Sequence, residues 1–454
     1  MGLTEMICQA GIVGCGGAGF PTHAKYNGGP VQTIIINGAE CEPLLQNDCY
    51  LMRNRAEELI AAADALKKES GANDCVIALK RSYTREIESL NKAIQKAASS
   101  VHIHEMESFF PAGDEQTIVY EVTGKVVPPA GIPMNVGCVV SNIATLYCIY
   151  EAMNNKPFTN KYLTVTGEVR NPVIAKVPVG TPVKQCLELA GGTLISDYIV
   201  VNGGPMMGKI MTKEEADEAF VTKTMSGLIV LPVDHALARS NKMKQSHMLN
   251  RAKSACIQCT FCTQFCPRAL LGHPIQPHRV MRKLASGMDV QELLEDKDIQ
   301  NAALCCECGI CETYACPMGL QPRKMNAMVK RELAKAGIRY KTEEKERYAL
   351  PERKLRKAPT KKVATKVGVG KYEDIQIDEL KELKADEVRT VRLALRQSIG
   401  VPAQPLVKDG DIVKVGQEIA VCPDGTLGSI LYASIDGKVK VAEAYIEIDS
   451  GKGA

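Results

Sequence analysis

The chain has 454 residues with a formal net charge of +4, 5% aromatics, no tryptophan and eighteen cysteines. That charge is too small to support nucleic-acid binding, and the cysteines are too dilute for a disulfide scaffold, fitting reduced thiols in a cytoplasmic, anaerobic protein. No run reaches the ~18 apolar residues of a membrane span, no secretory leader precedes Gly11, and the length suggests about three domains with aliphatic cores. In chain order, a glycine loop comes first: Gly14-Cys15-Gly16-Gly17-Ala18-Gly19-Phe20-Pro21-Thr22, with Lys25 just beyond. Glycines let a backbone approach a ligand closely, so the loop reads as a phosphate cradle or an ordinary turn. The strand-like Thr33–Asn37 (TIIIN) ends in Asn37-Gly-Ala-Glu40-Cys-Glu42-Pro43, at the carboxyl end of a strand, where open α/β sheets bind ligands. A helical Ala56–Lys68, a strand Asp74–Lys80 and a helical Glu86–Ala98 follow, and Gly137–Met153 reads as a buried strand entering a helix. This alternation predicts a parallel sheet flanked by helices over residues 1–155.

Residues 156–240 read as a small β-rich module in which a strand pair leads into one short helix. Residues 245–337 carry most of the ordered cysteines, joined by helical segments such as Pro277–Ser286 and Arg323–Ala336. Residues 338–388 are rich in Lys and Glu and read as a charged linker or a surface-wrapping arm, with Arg353–Lys366 a solvated tether. Short strands and glycine turns fill 389–454.

The cysteines carry the sharpest chemistry. One run is Cys256-x2-Cys259-x2-Cys262-x3-Cys266-Pro267, and the other is Cys305-x2-Cys308-x2-Cys311-x4-Cys316-Pro317. Two-cluster ferredoxins hold cubanes with this spacing, the distant cysteine of each run reaching across to the other cluster. The expected sets are Cys256, Cys259, Cys262 and Cys316 on one [4Fe–4S] cluster, and Cys305, Cys308, Cys311 and Cys266 on the second. Structural zinc usually takes two C-x2-C knuckles or cysteines mixed with histidines, and fits less well. The x4 gap demands a one-residue bulge before Cys316, and Cys306 reads as a bystander outside the x2 register.

The loop GCGGAGFPTHAK, the strand end INGAECEP, the AGDEQ of Ala112–Gln116 and the SNIATL of Ser141–Leu146 resemble, in the same order, the NADH-binding flavoprotein subunit of respiratory complex I and the Rnf C subunit. The resemblance covers nearly the whole chain. It implies a Rossmann-like flavin domain, a soluble-ligand-binding β-grasp module packed between flavin and clusters, a helical two-[4Fe–4S] ferredoxin-like domain and a carboxyl-terminal barrel-sandwich module. FMN and two [4Fe–4S] clusters are the implied cofactors, with NADH as substrate. Gly14, Gly16, Gly17 and Lys25 would line the flavin and Phe20 would shelve the nicotinamide or adenine. Asn37 and Glu40 would hydrogen-bond the flavin, and Gly113, Asp114 and Glu115 would close the site. Asn142 and Thr145 would lie near the FMN phosphate. Glu42, meeting the nicotinamide ribose, and Glu115 are the expected catalytic residues. The complex I pattern has an acidic residue where this chain has Ala39 and a glutamate where it has Asp114.

The domain order, with the barrel-sandwich module last, is similar to that of the cobalamin reductase of propanediol-utilisation microcompartments. That module also resembles lipoyl carrier domains, but Lys438 follows Gly437 instead of Asp or Met, so the module reads as docking surface. The relay implied is NADH, FMN, a first cluster, a second cluster, then a protein partner. A soluble reductase such as methylenetetrahydrofolate reductase is the expected partner. The alternatives are cobalamin reduction in a microcompartment, an Rnf-type membrane complex, and a non-enzymatic iron–sulfur scaffold. The ten residues before Gly11 leave little room for a microcompartment-targeting extension. A chain ending near Ala336 is expected to keep NADH-to-dye activity.

Overall fold

β1 (Thr33–Asn37) is β-branched through its centre, and Ile34, Ile35 and Ile36 are all fully buried. The period of two sends Ile34 and Ile36 into one core and Ile35 into another. Such a strand belongs in the middle of a sheet covered on both faces. The computed structural model, which describes residues 2–26, 29–287, 289–341, 347–423 and 425–451, places it there. β1 pairs in parallel with β2 (Asp74–Lys80) and with β4 (Cys138–Asn142), and β3 (His102–Met106) flanks β2. The register sets Asn37 beside Asn142, so both motifs reach the same carboxyl edge. Helix Ala56–Ser70 carries Glu57 and Glu58 in its first turn and Lys67 and Lys68 in its last, matching the helix dipole, and stops at Gly71 with φ +64°.

The middle module is a six-stranded sheet around Asn160–Gly167, which pairs antiparallel with Val173–Pro178 and parallel with Gly227–Pro232. Its Gly204–Gly208 loop packs between the Glu42 segment and the second cysteine run, since Glu42 Oε2 accepts from Met206 N at 2.9 Å and Arg323 donates to Met206 O at 2.6 Å. The cysteine runs lie among short helices, with Pro277–Ala285 and Pro322–Lys335 enclosing an aliphatic core.

Of the two readings of residues 338–388, a charged linker or a surface-wrapping arm, the packing fits the arm. Residues 342–346 lie outside the described residues, but Ala358–Pro359 pairs with Phe109–Phe110, and helix Thr360–Val367 buries Val363, Ala364 and Val367. Arg353 is buried against Glu121, and Lys357 reaches Glu107 at 2.8 Å and Glu121 at 3.1 Å. Leu380–Glu382 then adds a parallel strand beside Val173–Pro178. Arg353–Lys366 is therefore no solvated tether; its apolar residues are spaced at helical intervals within the charge run.

The carboxyl-terminal module folds as two small antiparallel sheets, of four and three strands, with no closed barrel among the described residues. Lys438 is the second residue of strand Gly437–Val441. Val391, Leu393, Ile446 and Ile448 share one continuous core with Ile34 and Ile36 of β1. Lys223, 1% exposed, donates to Gly11 O (2.7 Å), Ile430 O (2.7 Å) and Ser429 Oγ (2.9 Å), stapling three regions, and burial pushes its ammonium down to about 7. Truncation at Ala336 would open this core to water, so the expected active fragment is corrected: without residues 337–454 the sheet loses part of its own packing.

Candidate functional site

Two groups of residues converge. The first lies at the carboxyl edge of the parallel sheet. Gly14 N donates to Phe20 O at 2.9 Å, closing the glycine loop. Gly17 holds φ +106°, and a Cβ there would meet nothing within 4 Å, so the loop opens onto free space. Gly16 faces the Asn142 side chain, with an added Cβ 3.6 Å from Asn142 Cβ. Asn142 caps helix Ile143–Met153, its Oδ1 accepting from Ala144 N (2.9 Å) and Thr145 N (3.3 Å). Thr145 Oγ1 in turn accepts from Cys15 N at 2.9 Å. An exposed glycine backbone stitched to a helix N-terminus is a setting that suits a phosphate.

Around this cradle, Lys25 Nζ reaches Glu115 Oε1 at 2.8 Å and Val140 O at 3.0 Å. Asn37 joins the strand end to the next loop, donating to Gly113 O at 2.8 Å and accepting from Ala39 N at 3.1 Å. Glu40 Oε1 accepts from Glu42 N at 3.2 Å, while burial and the nearby Asp48 and Glu42 charges hold its carboxyl well above the ordinary range. Burial also pushes the Glu42 carboxyl up to about 7, against hydrogen bonds from Met206 and Met207, and leaves its Oε1 without a partner. Phe20 is half-buried at the end of the loop.

Asp114 differs from expectation. It caps helix Glu115–Thr123 through Thr117 N at 3.0 Å and grips Arg268, Nη2 to Oδ1 at 2.7 Å. Burial would raise its carboxyl, but Arg268 holds it below the ordinary carboxylate range. The acid thus bridges the sheet edge to the residue two after Cys266. Reading the sequence missed Arg268, Asp48 and Met206. Only long-range contacts give them roles, and no local pattern marks them.

The second group is the cysteines. Cys256, Cys259, Cys262 and Cys316 line one small cavity. Burial, then the thiols of Cys316, Cys259 and Cys256, push the Cys262 thiol up to about 12. Burial also raises the Cys311 thiol, with Glu312, Cys305 and Cys266 contributing in that order. Each distant cysteine therefore stands with the other run, as the crossed pairing requires. Iron must displace these thiol protons on binding.

The two runs repeat one backbone conformation. Gln258 and Thr260 have φ +54° and +64°; Glu307 and Gly309, at the same offsets from Cys305, have +57° and +80°. Left-handed non-glycine residues are costly and cluster at functional sites. The extra residue of the second run is taken up in a π-helical turn, Cys311–Ala315, where the first run has the α-helical Phe261–Gln264. Four sulfurs around one cavity, the matched left-handed residues and the open glycine cradle fit cubanes and a flavin.

The sets differ in depth. Cys266, Cys308 and Cys311 are buried, and Cys308 packs in one core with Leu44, Leu45 and Phe110, next to the sheet-edge motifs. Cys256, Cys259, Cys262 and Cys316 are all partly exposed, rimmed by the exposed Ile257, Phe261 and Met318.

Family models match in the same order: the Nuo51 FMN-binding domain over residues 7–151, an SLBB domain over 162–209, a 4Fe-4S dicluster domain over 255–321 and the RnfC barrel sandwich hybrid domain over 370–452. The chain is 38% identical over 455 residues to cobalamin reductase PduS of Citrobacter freundii, covering 99% of this chain and 96% of that protein. It is 37% identical over 457 residues to PduS of Salmonella typhimurium, with the same coverage. The Na+-translocating ferredoxin:NAD+ oxidoreductase complex of Acetobacterium woodii contains a C subunit that is 33% identical over 270 residues, 58% of this chain and 57% of that protein. Among the described residues no helix is long and apolar enough to cross a membrane.

Proposed function

The chain belongs to the family of the cobalamin reductase PduS, and from that premise we propose that it takes electrons from NADH and passes them, inner cysteine set first, to a protein-borne acceptor. It is an FMN-binding, [4Fe–4S] electron-transfer oxidoreductase. When bound, FMN supplies exchange between the hydride pair of NADH and the single electrons that cubanes carry. The remaining work belongs to the chain's own residues. Gly16, Gly17 and the capped start of helix Ile143–Met153 would hold the phosphate, while Gly14, Asn37, Gly113 and Glu40 would orient the ring. Lys25 and Glu115, already paired, would close one side. Glu42, with one carboxylate oxygen unpartnered, would bind the nicotinamide ribose beside Phe20.

The observation that carries the direction is that Cys308 shares one buried core with Leu44 and Leu45. The second run faces the sheet edge, and the first run faces outward. The relay would leave at Cys256, Cys259, Cys262 and Cys316.

Three acceptors were expected: a partner reductase such as methylenetetrahydrofolate reductase, with a cobalamin or an Rnf-type membrane complex as alternatives. Likeness along the full length to PduS proteins favours the corrinoid. The cytoplasm or a microcompartment interior would suit either. Anaerobic holoprotein given NADH should reduce cob(III)alamin in an absorbance assay. Glu42→Ala or Phe20→Ala should slow that reduction while leaving the clusters reducible by dithionite. Dye reduction without any corrinoid reduction would return the assignment to a folate-type partner.

A further inference from the structure

Behind the glycine loop lies a small enclosed cavity that this electron-transfer reading leaves unused. Cys15, Ala144, Cys148, Glu151 and Lys161 help to line it. Cys15 stands between Gly14 and Gly16 and is 2% exposed. Its backbone hydrogen bond to Thr145 Oγ1 sets it over the first turn of helix Ile143–Met153. Cys148, three residues after Thr145, shares that helix face. Cys15 and Cys148 thus line the same cavity. Lys161, on strand Asn160–Gly167, is 2% exposed, and its Nζ has no hydrogen-bond partner among the described residues. The Phe158 ring lies 6.0 Å from Nζ, but a buried ammonium with no hydrogen bond is costly unless an anion faces it. The Asp48 carboxylate is occupied, taking Asn142 Nδ2 at 2.5 Å and Asn47 Nδ2 at 3.1 Å.

Cys15, on the same cavity, is the group placed to supply that anion, its Sγ otherwise donating to Val13 O at 3.6 Å. The adjoining Cys148 thiol, aided by the Lys161 charge and opposed by burial, pulls the Cys15 thiol down to about 6, while Cys148 is held well above the ordinary range. One side of the cavity thus offers a thiolate, the other a thiol, with a cation beside them. Reactive cysteines sit in such electropositive surroundings.

We propose that Cys15 and Cys148 form a reversible disulfide, a peroxide-responsive switch that ties the glycine loop to the helix beneath it. The oxidant is a hydroperoxide. The Cys15 thiolate attacks one peroxide oxygen, the O–O bond breaks, and the departing hydroxide takes a proton and leaves as water, giving a sulfenic acid. The Cys148 sulfur then attacks the Cys15 sulfur; the S–O bond breaks, the S–S bond forms, and a second water carries off the Cys148 proton. Two thiols and one hydrogen peroxide become one disulfide and two waters, with two electrons moving from sulfur to oxygen. An external dithiol reverses the step by exchange. The cross-link would fix Cys15 to the helix and restrain the Gly16–Gly17 backbone that opens onto the cradle.

The test uses the full chain, purified anaerobically, treated with one equivalent of hydrogen peroxide, denatured into N-ethylmaleimide, digested and read by mass spectrometry. A linked Cys15–Cys148 peptide pair, released by dithiothreitol, is expected. Both cysteines recovered as N-ethylmaleimide adducts under conditions that oxidise other thiols of the chain would overturn the proposal. Lys161→Met should form the link at least tenfold more slowly, and an unchanged rate would remove Lys161 from the switch. Should that variant not fold, the wild-type peptide map alone decides.

Discussion

The two cysteine runs share a spacing and a backbone conformation but not an environment. Left-handed residues fall at the same two offsets in each, so both present their first three sulfurs alike. They part after the third cysteine, where the first run makes an α-turn and the second spends one more residue on a π-turn. They differ again in depth: three of the four inner sulfurs are buried, and none of the outer four is. The inner set leans on the sheet edge through Cys308 and through Arg268 with Asp114, whereas the outer set carries an apolar rim open to solvent. A duplicated motif has thus been given two environments by its packing, and the direction proposed for transfer rests on that packing and not on the spacing.

The comparison can be broken most severely at the π-turn. Deleting Thr313 turns x4 into x3 and re-aims Cys316, which belongs to the outer set. Iron should fall from about eight to about four per chain, with acceptor reduction lost, as iron analysis and turnover would show. Retention of about eight irons would mean that the extra residue is idle.

A smaller effect is expected where the inner set meets the sheet. Asp114 and Arg268 have side chains only 14% and 10% exposed. Arg268→Met leaves a buried carboxylate unpaired and should cost about 3–5 kcal/mol in chemical unfolding. The folded Asp114 value is depressed, so the pair stabilises above the unfolded carboxyl value and its contribution fades as pH falls through the folded one. Wild type and variant should therefore converge in acid.

The smallest effect belongs to Glu42. Its folded value near 7 lies above the ordinary 4.5, so the folded chain binds the proton more tightly and loses stability as pH climbs through that window. Glu42→Gln should flatten the fall in thermal midpoint between about pH 5 and 7.5. An unchanged slope would place the carboxylate in a wetter setting than the structure gives it.

Much of this was legible in the residues. TIIIN and DCVIALK announce buried parallel strands, and the x4 gap demanded an extra residue before Cys316, which the π-turn supplies. The crossed cysteine sets were expected from spacing, and Cys316 does line one cavity with Cys256, Cys259 and Cys262. What stayed hidden depends on contacts between residues far apart in the chain. Nothing near Arg268 marks Asp114 as its partner, and the charge of residues 347–388 masks Val363, Ala364 and Val367, whose spacing alone betrays a buried face. The shared core of the carboxyl-terminal module and β1 joins residues more than three hundred positions apart, beyond any local pattern.

The inner-to-outer order is most directly tested by anaerobic NADH titration of Cys259→Ser and Cys308→Ser, followed by electron paramagnetic resonance. In Cys259→Ser, NADH should still reduce the inner cluster while the acceptor stays oxidised. In Cys308→Ser, NADH should reduce neither cluster, although dithionite still reduces the outer one. Prompt NADH reduction of the outer cluster in Cys308→Ser would contradict the account.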